Sequence, residues 1–214
     1  REHIESALGL EAGQSNAPEA LHQIAAAAVV LVPHLLDIPV PVSHGLDGGV
    51  LACGGGGHDP ELMNDTLENN ILMGDVGDAG EYLRQVCLKE EADAMGDGLQ
   101  TKIGSSGVRL SGGQAQRLSL ARTLCHKRPL LILDDPFSAL DRKTEQEIFK
   151  NLQKETENGI VLLISHRLYL FPKLSKVIWM EQGNTVVAPH EELLKVVPEY
   201  RSLFEDQEGA KDEV

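Results

Sequence analysis

Leu130-Leu131-Ile132-Leu133, stopped by Asp134-Asp135, constrains this chain more than any other stretch. So short a run of consecutive apolar residues, with Pro129 before it, hides both of its faces, which is the pattern of a strand inside a parallel sheet. Ile160-Val161-Leu162-Leu163-Ile164 repeats the pattern. Between the two, Asp141 stands where an N-cap would start a helix from Lys143 to about Glu155, and Asn158-Gly159 would end it. The spacing predicts a βαβ unit. Upstream, Leu118, Ala121 and Cys125 recur at helical spacing within residues 114–125. Downstream, residues 177–181 and 185–188 flank Gln182-Gly183-Asn184 as a hairpin would, and His190 begins a terminal helix.

The first part of the chain is unlike this. Neither Lys nor Arg occurs between residues 2 and 83, and Lys89 is the first lysine. Alanine and leucine favour a helix over residues 18–32, with Pro33 as its stop, and little periodicity follows. The run Gly54-Gly55-Gly56-Gly57 has no lysine and no Ser or Thr after it, so it reads as a flexible linker rather than a phosphate cradle. His22, His34, His44 and His58 lack the short spacing of metal ligands and read as solvated. A boundary near His58 divides the chain into an unassigned low-complexity segment, 1–57, and a folded domain, 58–214. No internal repeat is visible.

Composition excludes several classes. A length of 214 residues allows one or two domains, and 42% hydrophobic residues suffice for a core. A formal charge of −14 argues against a surface that neutralises nucleic-acid phosphates. Cys53, Cys87 and Cys125 are odd in number and far apart, which indicates neither a disulfide framework nor a zinc site and fits a reducing compartment. The longest apolar stretch, residues 24–32, is too short to cross a bilayer, and no basic N-terminal region announces a signal peptide. Membrane contact is expected only through a partner.

The chemistry-bearing residues stand in one order: Leu110-Ser111-Gly112-Gly113-Gln114, then Asp134-Asp135, then Ser138-Ala139-Leu140-Asp141, then Ser165-His166. Ser111, Gly112 and Gly113 precede a helix whose N-terminal N–H groups and dipole favour an anion, and glycine removes the Cβ that would hold a phosphate off. In this order and spacing, residues 58–214 resemble the nucleotide-binding domain of an ATP-binding cassette (ABC) transporter of the exporter type. The resemblance implies an α/β fold, a P-loop NTPase-like parallel-sheet core with a helical signature subdomain, its N-terminal part truncated or replaced. It implies ATP and Mg2+ as cofactors. Leu110, Ser111, Gly112, Gly113 and Gln114 would form the signature that grips ATP held by the opposite subunit. Asp134 would serve magnesium, Asp135 the attacking water, Asp141 the D-loop across the dimer, and His166 the γ-phosphate. Residues 63–72 resemble the stretch that receives a transmembrane domain, and residues 101–110 the loop before the signature in exporters. The implied partners are a second nucleotide-binding domain, in a homo- or heterodimer, and a transmembrane domain, with no nucleic acid. The implied place is the cytoplasmic face of a membrane, reached peripherally through that transmembrane partner.

The sequence departs from the family pattern at four points. No Gly-Lys dipeptide occurs, so the phosphate-binding loop G-x-x-x-x-G-K-[ST] is missing. Asp135 stands where active members usually carry Glu, a side chain shorter by about 1.5 Å, which implies slow hydrolysis. His58 stands at the Q-loop glutamine and Ser105 at an acidic position before the signature. Two functions follow. One is an ABC-type ATPase that couples ATP binding and hydrolysis to export. The other is a catalytically impaired binding module that donates its signature to a partner cassette with an intact phosphate loop.

Overall fold

The computed structural model describes residues 27–31, 50–54, 60–105, 107–126, 130–155, 160–181 and 184–209. They fall into two compact units, one within Val30–Ile164 and the other within Arg1–Val29 together with Ser165–Val214. Two strands, β1 (Ala27–Leu31) and β2 (Val50–Gly54), come from the stretch in which the sequence suggested a helix and a linker. The helix expected over residues 18–32 is a strand over its last part, where the β-branched pair Val29-Val30 favours extended backbone. Gly54, read as the start of a linker, is the last residue of β2. His22, His34, His44, His58 and the rest of the glycine run lie outside the described residues.

In the first unit β2 lies parallel to β3 (Leu130–Asp134), with Val50 opposite Leu130 and Gly54 opposite Asp134. On its other side β3 is parallel to β4 (Ile160–Ser165), with Leu130 opposite Ile160 and Asp134 opposite Ile164. The two apolar runs are thus adjacent parallel strands, as their composition predicted. Leu131, Leu133, Val161, Leu162 and Leu163 are buried.

The helical part opens with α1 (Leu67–Leu72), which begins at Thr66, whose hydroxyl accepts the N–H of Asn69 at 3.0 Å. Next come α2 (Ala79–Gln85), capped by Asp78, and the short α3 (Lys89–Asp93). The long α4 (Gly112–Cys125) packs against α1, α2 and β2. Residues 101–108 pair with the entry to α1: Leu67 N–H donates to the Thr101 carbonyl at 3.1 Å, and Ile103 N–H to the Asp65 carbonyl at 2.9 Å. Gly104, at φ +105°, is required in this loop, because a Cβ there would stand 1.9 Å from Asn64 Oδ1. After β3, α5 (Arg142–Glu155) starts one residue earlier than the spacing suggested and buries Ile148, Phe149 and Leu152.

Asn70 and Arg122 fasten α1 to α4. The fully buried Asn70 amide donates to the carbonyls of Met63 and Thr66, and its Oδ1 accepts Met63 N–H at 2.8 Å and Arg122 Nη2 at 2.7 Å. The guanidinium also donates to the carbonyls of Asn70 at 2.6 Å and Glu61 at 2.9 Å. A hydrogen bond to a charged group contributes about 1.5–3 kcal/mol, more than a neutral pair, so this knot outweighs any single cap in the unit.

In the second unit, a 3₁₀ turn (Leu168–Lys173) precedes the antiparallel hairpin of β5 (Lys176–Glu181) and β6 (Asn184–Ala188), with Glu181 opposite Asn184. Two helices follow where one was expected, α6 (His190–Val196) and α7 (Pro198–Gly209), because Pro198 lacks the N–H that would continue the first. The core is aromatic. Tyr200, fully buried, stacks on Phe171 at 6.5 Å and meets Trp179 edge-on at 5.4 Å. Its hydroxyl lies 2.6 Å from Nδ1 of the buried His190.

Two outcomes are expected. Replacing Asn70 with Ala removes the acceptor of Arg122 and the brace on Met63, and should cost about 2–3 kcal/mol in a urea titration followed by circular dichroism. Burial holds the His190 imidazole below its ordinary value of 6.5, outweighing the opposite pull of the Glu191 carboxylate. Below pH 6.5 the unfolded chain therefore takes up more protons than the folded one, and stability falls as pH drops through that window. The fluorescence of Trp179, the only tryptophan, should report a lower urea midpoint at pH 5.5 than at pH 7.5, and His190→Gln should flatten that dependence.

Candidate functional site

Ser111 begins α4 with a reciprocal cap. Its hydroxyl accepts Gln114 N–H at 3.2 Å, while Gln114 Oε1 accepts Ser111 N–H at 2.9 Å. Such a box contributes about 1 kcal/mol and fixes where the helix starts. Gly112 therefore opens a 14-residue helix, and the partly exposed first turn presents backbone N–H groups and the positive dipole end. Leu110, just before the cap, is half-buried.

An acidic residue that the sequence reading did not single out organises this end. Glu91 on α3 accepts Gln114 Nε2 at 2.8 Å and Arg117 Nη1 at 2.6 Å. The Arg117 guanidinium holds the Glu91 carboxyl below its usual range, helped by the Gln114 amide against partial desolvation. Arg117 also donates to the carbonyls of Cys87 and Gly113. Glu91 is half-exposed, so the ion pair contributes at most about 1 kcal/mol, and its main effect is on orientation. Nothing in spacing could have revealed it, since Glu91 lies 23 residues before Gln114.

The two strand-end carboxylates differ. Asp134 closes β3 and is exposed at the C-terminal edge of the parallel strands. Asp135 turns away from the strand at φ +43°, its N–H still held by the Ile164 carbonyl at 2.8 Å. The left-handed region is tolerated better by Asp than by most side chains. The donor set fits a magnesium ion, which takes one or two carboxylates and keeps waters and phosphate oxygens for the rest of its shell. Among the described residues no group of three His, Cys, Asp or Glu side chains could enclose a metal by itself.

The turn after Asp135 is clamped by α4. Gln116, 5% exposed, donates from Nε2 to Ser138 Oγ at 2.9 Å and to the Asp135 carbonyl at 3.3 Å, and its Oε1 accepts Ala139 N–H at 3.0 Å. Gly113 meets the same turn, since a Cβ there would be 3.0 Å from the Ala139 carbonyl oxygen. The missing side chain thus makes room for Ala139 and Leu140 of the same chain. Asp141 lies at the end of this turn as N-cap of α5. Its Oδ1 accepts the N–H groups of Lys143 and Thr144 at 3.0 Å, and its Oδ2 the Thr144 hydroxyl at 2.7 Å. These bonds, the Thr144 hydroxyl first, hold the Asp141 carboxyl below its ordinary range.

The structure therefore brings Leu110, Ser111, Gly112, Gly113, Gln114, Asp134, Asp135 and Asp141 into one unit, with His166 in the other. There His166 is exposed, and its carbonyl accepts Gln207 Nε2 at 2.8 Å while Gln207 Oε1 accepts Leu168 N–H at 3.0 Å. Ser105, before the signature, donates its N–H to Asn64 Oδ1 at 3.0 Å. No helix among the described residues is long and apolar enough to cross a membrane.

Comparison with known proteins bears on this arrangement. Residues 58–138 match the family described as ABC transporter. P-glycoprotein 14 of Caenorhabditis elegans is 36% identical over 159 residues, which cover 72% of this chain and 12% of that protein. The ATP-dependent lipid A-core flippase of Desulfotalea psychrophila is 38% identical over 151 residues, 68% of this chain and 26% of that one. The chain thus spans about a quarter or less of the length of these two relatives. A solved bacterial Atm1-family ABC exporter with ATP bound superposes with a TM-score of 0.64 at 29% identity, over 70% of this chain and 27% of the exporter. With its signature helix, its strand-end carboxylates and these matches, the chain belongs to the ABC transporter family, as an exporter-like nucleotide-binding domain.

Proposed function

We propose that this chain is the ATP-binding and ATP-hydrolysing component of an ABC exporter and couples ATP turnover to passage of a substrate through transmembrane domains. The observation that carries this reading is the join between the capped N-terminus of α4 and the Asp134-Asp135 end of β3, made through Gln116. Its partners are a second nucleotide-binding domain and a transmembrane domain, and it acts at the cytoplasmic face of a membrane. Ser111, Gly112 and Gly113, with Leu110 and Gln114 beside them, receive the phosphates of ATP held by the second domain, where helix dipole and N–H groups favour negative charge. Asp134 holds Mg2+, which when bound neutralises charge on the β- and γ-phosphates. Asp135 orients the attacking water, His166 hydrogen-bonds the γ-phosphate, and Asp141 fixes the D-loop by capping α5.

Two observations favour a second reading, in which the chain donates its signature to a partner and hydrolyses little by itself. The sequence has no Gly-Lys dipeptide to clamp the β- and γ-phosphates, and the carboxylate after Asp134 is the shorter Asp135. Magnesium-dependent phosphate release separates the two. Turnover by the purified chain alone supports the ATPase reading. Turnover that needs an added nucleotide-binding domain with an intact phosphate loop supports the donor reading. If neither sample turns over, both readings fail. Where turnover occurs at Asp135, Asp135→Asn should lower kcat by about 10²-fold or more with little change in KM for ATP, because a positioned base contributes roughly 10²–10⁴-fold.

A further inference from the structure

Gln116 is given no part in the reaction above, yet its carboxamide is buried and spends its polar atoms on one functional turn. It binds the carbonyl of Asp135, the hydroxyl of Ser138 and the N–H of Ala139. The turn has bonds of its own, Ser138 N–H to the Asp135 carbonyl at 3.3 Å and Leu140 N–H to the Phe137 carbonyl at 3.0 Å, but neither ties it to α4. Asp135 sits in a left-handed conformation that persists only where its surroundings hold it. Gly113, one turn earlier on α4, approaches Ala139 from the carbonyl side. Donor and acceptor are both needed, and among neutral side chains of this length only a carboxamide supplies them.

We propose that Gln116 is a positioning residue that sets the Asp135 carboxylate and the D-loop from the signature helix. A shift at the signature end then reaches the strand-end carboxylates within a single chain. The proposal deepens the ATPase reading and rests on it for its kinetic consequence, whereas its structural part stands separately.

Two variants of the full chain, Gln116→Ala and Gln116→Glu, test it. Glutamate keeps an acceptor for Ala139 N–H and loses the donor to Asp135 and Ser138. In Gln116→Ala the urea midpoint should fall, and the Ala139 amide should exchange with deuterium about tenfold faster or more, a larger loss of protection than in the middle of α4. Gln116→Glu should restore protection at Ala139. With a second nucleotide-binding domain carrying an intact G-x-x-x-x-G-K-[ST] loop, Gln116→Ala should lower kcat about tenfold with KM for ATP within about twofold, and Gln116→Glu should fall between. Unchanged exchange at Ala139, uniform loss of protection along α4, or KM rising in step with the fall in kcat would overturn the proposal. Absence of turnover in the parent pair overturns both functional readings instead, and the exchange result then decides the role of Gln116.

Discussion

The buried polar face of α4 is the constraint on which the first unit depends. A helix set against α1, α2 and β2 would ordinarily present aliphatic side chains alone, and Leu118, Leu120, Ala121 and Leu124 do so. Gln116, Arg117 and Arg122 add groups that must find partners once they leave water, because an unmet polar group in the interior costs more than a met one gains. Each finds them on a different neighbour: Gln116 on the turn after β3, Arg117 on α3 and the Cys87 carbonyl, Arg122 on α1 and the segment before it. Hydrophobic contact permits sliding, whereas these directional bonds fix one register.

The same helix therefore joins three regions that the family resemblance treats separately. At its start the capped Ser111-to-Gln114 turn is braced by Glu91, and at its end Arg122 holds the segment with Asn70 and Met63. Between them Gln116 reaches Asp135. In the proposed function this gives the docking stretch, the signature and the hydrolytic carboxylate a common rigid element. The half-exposed Glu91 pair contributes little stability, and its value lies in where it points Gln114.

The second unit is built on another principle. Its aromatic cluster places one neutral imidazole against one phenol, and burial favours the uncharged form of both. The only charge-bearing chemistry assigned to it, His166, lies on an exposed turn held by the Gln207 amide, which pairs with the backbone of residues 166 and 168 as a neighbouring strand would. In the proposed function, an exposed side chain on a backbone fixed from behind suits a group that must meet a ligand and let it go.

Much of this was legible in the sequence. The apolar runs ending at Asp134 and at Ile164 specify parallel strands because consecutive apolar positions suit only strands covered on both faces, and Ser111 and Asp141 announce helix starts through local bonds to their own first turns. The order of signature, acidic strand end, D-loop and histidine identified the family, since such motifs draw on neighbours in the chain. The strands over residues 27–31 and 50–54 escaped because an alanine-rich stretch and a glycine run carry weak or contrary propensity, which sheet pairing overrides. Glu91, the Asn70–Arg122 knot, the Gln116 clamp and the His190–Tyr200 pair escaped for a different reason. Each joins residues between 10 and 52 positions apart, and only the tertiary fold decides which distant polar group a buried donor will meet.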